Sequence, residues 1–247
     1  EELAFFLGCL TADGAITQNG VVISNNDAAL LAELNRIAET LWGVSGQVFK
    51  DVRNDVHTLQ INARSLRHWL LVDLGLRAGA EHKIVPGCIL RSSRAEVSAF
   101  LRGLMLDGFL TQDGKLFGVT LASSKLIRQL QVLLLNAGVV ATVRRSAERA
   151  WSLTVQGGEL ERLADLIGFV EVWKNERMAR RNVGRVQRFR NYSRLLPAFV
   201  THCLEEMKQT ASVSLASIYH LEDVLEARAY QRGRVNLLQG HRLERSD

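Results

Sequence analysis

Two aspartates, Asp13 and Asp107, are the residues of this sequence with the clearest capacity for chemistry, and each is followed directly by a glycine. Each ends a predicted helix, where a carboxylate meets the negative end of the helix dipole and loses roughly 0.3–1 kcal/mol. The same unfavourable position of a carboxylate occurs at the ends of both predicted helices. If the two helix ends meet, shared divalent cations relieve the repulsion between the carboxylates. The alternative for either position alone is an ordinary solvated Asp-Gly turn.

The two aspartates belong to an internal repeat. Residues 13–20 align without gaps to residues 107–114, at an offset of 94 residues. Residues 57–61 align to residues 151–155 at the same offset. A repeat of this kind marks one structural unit used more than once, so the chain is predicted to consist of two related halves.

Each half is predicted to open with an amphipathic helix, because apolar residues recur at the i, i+3, i+4 and i+7 spacing. Ser93 and Glu96 form a predicted capping box at the start of the second helix. Gly14 and Gly108 are expected to end the two helices, since glycine adopts the left-handed cap conformation without strain.

Both opening helices also carry small residues spaced by four positions. They are Ala4 and Gly8 in the first helix, and Ala95, Ala99 and Gly103 in the second. Small residues at this spacing let two backbones approach closely. A lone helix of this type can lie tightly on its own sheet, but a matched pair in a duplicated chain favours helix against helix at a pseudo-twofold axis.

The remainder of each half reads as a hairpin, a second helix near residues 27–41 or 124–136, two more strands and a third helix. Apolar and polar residues alternate in the strands, so each sheet is expected to have one apolar and one polar face. The predicted fold class is α+β: a pseudo-twofold tandem repeat of αββαββα halves that form two saddle-like antiparallel sheets, plus a small helical C-terminal extension.

Two segments carry a specific family resemblance. The segment FLGCLTADG at residues 6–14 and the segment FLRGLMLDG at residues 100–108 resemble the two motifs of single-chain LAGLIDADG homing endonucleases. The likeness extends over about residues 1–180. It implies a site-specific endonuclease that hydrolyses both strands of duplex DNA with Mg²⁺ or another divalent cation, acting as a monomer with internal pseudo-twofold symmetry.

The resemblance also implies roles for individual residues. Asp13 and Asp107 correspond to the metal-binding catalytic acids, and the main-chain carbonyls of Ala12 and Leu106 are additional metal ligands. A catalytic lysine is expected in each half after the third helix, and Lys83 and Lys174 match those positions. Either lysine taken alone is as compatible with a solvated surface position.

The second motif departs from the first in length. Gly8 precedes Asp13 by five residues, whereas Gly103 precedes Asp107 by only four. On a regular helix, one residue turns a side chain by ~100°. The second carboxylate is either displaced, which leaves a nicking or inactive protein, or kept in place by a local adjustment. We favour the adjustment, because the alignment after Asp107 has no gap.

The polar faces of the two sheets are predicted to bind DNA, since arginine pairs with guanine and glutamine with adenine in the major groove. The predicted contacts are Gln47, Lys50, Arg53, Thr58 and Gln60 from the first half, and Lys115, Thr142, Arg144, Arg145, Arg149 and Thr154 from the second. Any one of them alone is compatible with an ordinary exposed strand residue, and the argument is that they share a face.

A basic segment follows the repeat. Between residues 174 and 194 there are eight basic residues and a single acid, Glu176. Charge of this density neutralises several phosphates, and the predicted DNA contacts in this segment are Arg180, Arg181, Arg185, Arg188 and Arg190. A solvated linker is the alternative. The expected domains are residues 1–90 and 91–183 for the two halves, and residues 184–247 for a basic linker with a small helical module.

The composition is that of a globular protein with an acidic partner. Lys and Arg outnumber Asp and Glu by 31 to 26, which is a weak indication of nucleic-acid binding by itself. Three cysteines far apart fit neither a disulfide framework nor a metal knuckle, so we expect an intracellular protein, cytoplasmic or organellar. No apolar run is long enough to cross a membrane.

Two other functions compete with the nuclease. A DNA-binding regulator or RNA-splicing maturase on the same fold, with cleavage lost, is the main rival, and a structural protein without a nucleic-acid ligand is more distant. The residues at Glu1 and Asp247 do not include a splicing nucleophile or a His-Asn pair, so we expect no self-splicing. The origin of the gene in an intein, an intron or a free-standing frame stays open.

Overall fold

The computed structural model describes residues 1–51 and 56–180, and within them both halves have the predicted αββαββα order. The first half consists of α1 (Glu2–Ala12), β1 (Gly14–Ile16), β2 (Val21–Asn25), α2 (Ala28–Trp42), β3 (Gln47–Asp51), β4 (Val56–Ile61) and α3 (Arg64–His68). The second consists of α4 (Arg94–Leu104), β5 (Phe109–Leu110), β6 (Leu116–Leu121), α5 (Ser124–Asn136), β7 (Thr142–Ala147), β8 (Ala150–Gln156) and α6 (Gly158–Ile167), followed by α7 (Val172–Ala179).

The strands form two four-stranded antiparallel sheets with the same topology. The strand order is β1-β2-β4-β3 in the first half and β5-β6-β8-β7 in the second. The predicted fold class is therefore confirmed for the repeat, while the predicted C-terminal extension lies outside the described residues. No helix in the described ranges is both long and apolar enough to cross a membrane.

Each sheet has the predicted apolar and polar faces. Leu59 and Ile61 of β4 are fully buried, while Thr58 and Gln60, which alternate with them, are partly exposed. The buried faces pack under the helices, and one continuous apolar core runs through both halves.

The two opening helices, α1 and α4, pack directly against each other through their glycines. A Cβ atom added at Gly8 would lie 2.2 Å from the carbonyl oxygen of Phe100, and one added at Gly103 would lie 2.4 Å from that of Phe5. The contact is reciprocal, as a pseudo-twofold axis requires. The helix-on-helix prediction is correct, and the glycines are needed because backbone meets backbone there.

The predicted helix ends are correct in part. The capping box of Ser93 and Glu96 is present at the start of α4. The left-handed conformation predicted for Gly14 and Gly108 is wrong, since neither is among the glycines with positive φ. Space explains both glycines instead: a Cβ atom at Gly14 would lie 2.5 Å from Leu10, and one at Gly108 would lie 2.1 Å from the ring of Phe117.

Candidate active site and nucleic-acid interface

The carboxylates of Asp13 and Asp107 meet where α1 and α4 end. Asp13 is exposed as a residue, but packing around its carboxyl group removes part of its hydration. This burial, the hydrogen bond to Asp107 and the negative charge of Asp107 raise the pKa of Asp13 to about 7, against a smaller opposing effect of Lys83. The central feature predicted from the sequence, two acids from opposite halves in direct interaction, is therefore present.

The shorter second motif is accommodated by an earlier helix end. α1 remains helical to Ala12, and the amide of Asp13 still donates to the carbonyl of Cys9, four residues back. α4 ends at Leu104, and a turn follows in which the amide of Gly108 donates to the carbonyl of Met105 at 3.0 Å. This is the local adjustment that we favoured, and it leaves Asp107 beside Asp13.

Lys83 forms hydrogen bonds to the backbone on both sides of Asp13. Its ammonium donates to the carbonyl oxygens of Ala12 and Gly14, each at 2.8 Å. Partial burial lowers the pKa of Lys83, and the nearby charge of Asp13 works in the other direction. Lys83 therefore fixes the turn that carries the acid and adds a positive charge to the site.

Lys174 makes the corresponding contact in the second half from a deeper position. Its ammonium donates to the carbonyl of Leu106, the residue before Asp107, and pairs with Glu171. The side chain is 1% exposed, and the rings of Phe117, Phe169 and Trp173 surround it. Lys83 and Lys174 are thus equivalent in position, but only Lys83 has access to solvent.

Asn25 is a site residue that the sequence interpretation missed. Its side-chain oxygen accepts from the amide of Asp27 at 2.8 Å, so its NH₂ group is the end that faces Asp107, at 3.3 Å from a carboxylate oxygen. Asp27 is in turn the N-cap of α2. The strand register places Leu121 at the corresponding position of the second half, so the repeat gave no signal for this residue.

The donor set fits a hard divalent cation. No group of three or more His, Cys, Asp or Glu side chains suitable for a metal occurs in the described part of the chain. Mg²⁺ commonly takes only one or two protein carboxylates and keeps its remaining ligands as water and substrate phosphate. Two adjacent carboxylates satisfy that requirement, and the pKa of Asp13 is raised first by burial and then by its contact with Asp107. The carbonyls of Ala12 and Leu106, predicted as further ligands, already accept from Lys83 and Lys174.

Most of the predicted DNA contacts in the strands lie on the polar faces. Directly paired residues of antiparallel strands project to the same side of a sheet. Gln47 pairs with Gln60 in the first sheet, and Thr142 pairs with Thr154 in the second. The members that share these faces are Gln47, Thr58, Gln60, Thr142, Arg144 and Thr154.

The expectation of a shared face is wrong for two residues. Lys50 pairs with His57 and Arg145 pairs with Trp151, which places both on the side opposite the polar face. Side chains alternate along a strand, so a residue directly next to a correct one points the other way. Their predicted DNA contacts stay a prediction without the shared-face argument.

The other predicted contacts lie at the ends of elements. Lys115 forms an ion pair with Asp113 in the turn before β6, and Arg149 is exposed in the turn between β7 and β8. Arg180 follows α7 and pairs with Glu176. The predictions that fall outside the described residues are those for Arg53, Arg181, Arg185, Arg188 and Arg190.

The fold repeats one unit twice and brings one acid from each copy together at the junction of the halves. Residues 95–168 match the family model described as the LAGLIDADG-like domain. The second half of the chain is therefore a LAGLIDADG-like domain, and the first half has the same order of elements in the same polypeptide.

Curated relatives match over only a short part of their own length. An A-type ATP synthase subunit of Pyrococcus abyssi is 30% identical over 170 residues, which are 66% of this chain and 16% of that protein. The glutamine--fructose-6-phosphate aminotransferase [isomerizing] of Methanocaldococcus jannaschii is 26% identical over 161 residues, 62% of this chain and 14% of that protein. This chain therefore spans about a sixth of the length of these relatives.

Solved structures share the fold at low sequence identity. The homing endonuclease I-DmoI, in complex with DNA and Ca, matches 67% of this chain and 88% of its own with a TM-score of 0.52 and 17% identity. Full-length DUF199/WhiA from Thermatoga maritima matches 85% of this chain and 68% of its own with a TM-score of 0.54 and 14% identity. These likenesses establish a common architecture.

Proposed function

We propose that this protein is a site-specific endonuclease that hydrolyses one phosphodiester bond in each strand of duplex DNA with Mg²⁺ or another divalent cation. The observation that carries the proposal is the direct interaction of Asp13 and Asp107, one from each half, at the junction of α1 and α4. A structural role does not account for this pair, because the interaction raises the pKa of Asp13 and costs stability when both groups are ionised.

Five side chains have distinct parts in this mechanism. Asp13 and Asp107 would hold the cations, which when bound supply Lewis-acid activation of water and neutralise charge on the phosphate. Lys83 holds the turn around Asp13 and adds positive charge next to the phosphate that is cut. Asn25 donates to the carboxylate of Asp107 and orients it. The buried Lys174 donates to the carbonyl of Leu106 and thereby positions the adjacent Asp107.

Duplex DNA is the proposed partner of the two polar sheet faces. These faces carry glutamine, threonine and arginine side chains that match base edges in the major groove. Structures of I-DmoI contain target DNA with Mn, Mg or Ca, which supports DNA and a divalent cation as ligands here. Because one chain supplies both acids, the protein is proposed to act as a monomer.

The test is cleavage of randomised duplex libraries. Wild-type protein with Mg²⁺ is expected to yield a recurrent cut site, and Asp13→Asn is expected to abolish cutting while the protein still binds that site. Asp165→Asn, an exposed change on α6, serves as the matched control and is expected to cut normally. Cleavage that survives in Asp13→Asn, or intact libraries with both Mg²⁺ and Mn²⁺, would contradict the proposal.

A regulator that binds DNA without cutting it, or an RNA-splicing maturase, is the second candidate. It is favoured by the coverage of the WhiA match, which reaches 85% of this chain against 67% for I-DmoI. Stable retention of a specific duplex or RNA with no strand cut under any divalent cation would support it. The presence of both acids and of Lys83 at the junction favours the nuclease.

The curated relatives support an independent module. Overlapping stretches of this chain match a small part of two proteins whose names describe unrelated activities, an aminotransferase and a component of an ATP synthase. Such a distribution is expected for a unit carried within longer proteins and not for a part of either named activity. We therefore do not assign those activities to this chain.

A further inference from the structure

Two equivalent rows of side chains cross the polar faces of the sheets. In the first sheet, Thr58 of β4 pairs with Ser24 of β2 on one side and with Phe49 of β3 on the other. The hydroxyls of Ser24 and Thr58 lie 3.0 Å apart, which shows that these side chains share a face. The row therefore reads hydroxyl, hydroxyl, phenyl ring.

The second sheet repeats this row with one difference in chemistry. Ser152 of β8 pairs with Thr120 of β6 and with Arg144 of β7. The hydroxyls of Thr120 and Ser152 lie 3.3 Å apart. The row reads hydroxyl, hydroxyl, guanidinium, so Phe49 and Arg144 occupy equivalent positions of the two halves.

Neither side chain contributes much to the stability of the sheet that carries it. Phe49 is 48% exposed on an otherwise polar face, where burial contributes little to stability. Arg144 is exposed and makes no hydrogen bond or ion pair with any residue of the described ranges. An exposed ring and an unpaired guanidinium at matching positions are both available to a ligand on the polar faces.

We propose that Phe49 and Arg144 read equivalent base pairs of the two half-sites with opposite preferences. Phe49 contacts the methyl group of thymine, and Arg144 pairs with the O6 and N7 atoms of guanine, the partners that these side chains select in the major groove. The target is therefore non-palindromic at this pair of positions, with T·A in one half-site and G·C in the other. This inference rests on the DNA binding in the proposed function, but not on cleavage.

The test is an exchange of the two residues in the full chain. Wild-type, Phe49→Arg, Arg144→Phe and the double variant are used to select bound duplexes from a randomised pool in Ca²⁺, and binding is then measured on the selected sites. Phe49→Arg is expected to change one position from T·A to G·C, and Arg144→Phe to make the reverse change at its counterpart. Each preference is expected to shift by roughly 5- to 100-fold.

The neighbouring positions provide matched controls, because a side chain introduced there lies on the opposite face of the same strand. Val48→Arg and Arg145→Phe introduce the same side chains one position away, and Val48 is itself 43% exposed. These variants are expected to change overall affinity or its salt dependence without changing a base preference. Phe49→Ala, which should fold as the wild type does, is expected to lose the thymine preference without gaining one for guanine.

The outcomes separate this inference from the proposed function. A selected site at which Phe49→Arg and Phe49→Ala alter no base preference beyond that of Val48→Arg would overturn the inference and leave the DNA-binding function intact. If wild-type protein enriches no sequence from the pool, the proposed function fails and the inference fails with it. A double variant that exchanges the two preferences between half-sites would establish the inference and the DNA binding on which it rests.

Discussion

At the residue scale, the two central acids have different neighbours although they belong to equivalent motifs. Asp13 lies between two carbonyls that Lys83 holds, whereas Asp107 accepts from Asn25 and follows a carbonyl held by the buried Lys174. The repeated Asp-Gly pair was enough to predict the acids and, with the family resemblance, the lysines. Asn25 could not be predicted, because its contact joins strand β2 of one half to the motif of the other.

The raised pKa of Asp13 predicts that this acid destabilises the cation-free protein at neutral pH. The pKa rises from an ordinary value of 3.8 to about 7 in the folded protein, so the folded state retains a proton that the unfolded chain has released. The free energy of unfolding therefore falls as pH increases from about 4 to about 7. Asp13→Asn removes this dependence, and thermal melts in EDTA should show a higher melting temperature than wild type at pH 8 but not at pH 4.

Most substitutions lower the melting temperature, whereas Asp13→Asn is expected to raise it at pH 8. Asp165→Asn, on exposed α6, should leave the melting temperature unchanged at both pH values. A lower melting temperature of Asp13→Asn at pH 8 would show that the carboxylate is satisfied by its surroundings and would contradict the assigned strain. Added Mg²⁺ should stabilise the wild type more than the variant, since binding to the folded state alone raises stability.

Lys174 is predicted to differ from Lys83 in what its loss does. Lys174→Met leaves Glu171 and the Leu106 carbonyl without their ammonium partner, and breaking a buried pair typically costs about 3 to 5 kcal/mol. Glu171 is 27% exposed and regains some hydration, so we expect about 3 kcal/mol in urea unfolding. Lys83→Met should cost less, because Lys83 is only half buried, yet abolish cleavage.

The matched variant is Glu171→Gln, alone and combined with Lys174→Met. Partners in one buried pair couple strongly, so the double variant should be less unstable than the sum of the single ones. Equal losses of stability for Lys83→Met and Lys174→Met would show that burial does not distinguish these lysines.

At the element scale, the sequence predicted the approximate bounds of α2 and α5 and the alternation of the strands. These features depend on local patterns, such as the 3.6-residue period and the Ser93 cap, and α5 has the bounds that were expected. The faces assigned to Lys50 and Arg145 were wrong, because strand register depends on pairing with a distant strand. The reason for Gly14 and Gly108 was also wrong, since it depends on which side chains pack above them.

The close contact between α1 and α4 predicts a large effect of one methyl group. In Gly8→Ala, the new Cβ atom would lie 2.2 Å from the backbone of Phe100, so the helices must separate. We expect a loss of about 3 kcal/mol or more, at the upper end for overpacking, and reduced cleavage because the two acids also separate. Urea unfolding and plasmid cleavage measure the two effects.

Gly43→Ala is the control for a glycine that matters only through its backbone conformation. Gly43 caps α2 with a φ of +62°, and nothing lies within 4 Å of an added Cβ atom. That strain costs about 1 kcal/mol, and cleavage should be unchanged. If Gly8→Ala is no more costly than Gly43→Ala, the helices are not in backbone contact.

At the scale of the whole molecule, the sequence predicted the duplication. It did not predict which functional residues differ between the two halves. Matching residues reveal a repeat, whereas functional differences arise where the repeat fails to match, as at Asn25 and Leu121 or Phe49 and Arg144. A single sequence does not tell which mismatches lie at the site. The structure identifies them by placing both members of each pair at equivalent positions.

This inequivalence predicts that the two DNA strands are cut at different rates. The partly exposed Lys83 binds the backbone next to Asp13, and the buried Lys174 binds the backbone next to Asp107. A positive charge that can approach the phosphate lowers the activation barrier for hydrolysis. A positive charge that is already paired inside the protein lowers this barrier less. Supercoiled plasmid carrying the site should therefore pass through a nicked intermediate, and duplexes labelled differently on each strand should show one strand cut first.

Removal of the accessible lysine should change this order. Lys83→Arg keeps the charge but not the compact ammonium that binds two carbonyls at once, so it should slow the faster strand more than the slower one. Equal rates for the two strands in the wild-type protein would mean that both phosphates experience the same environment. In that case the different burial of the two lysines would have no catalytic consequence, and the inequivalence would concern DNA recognition alone.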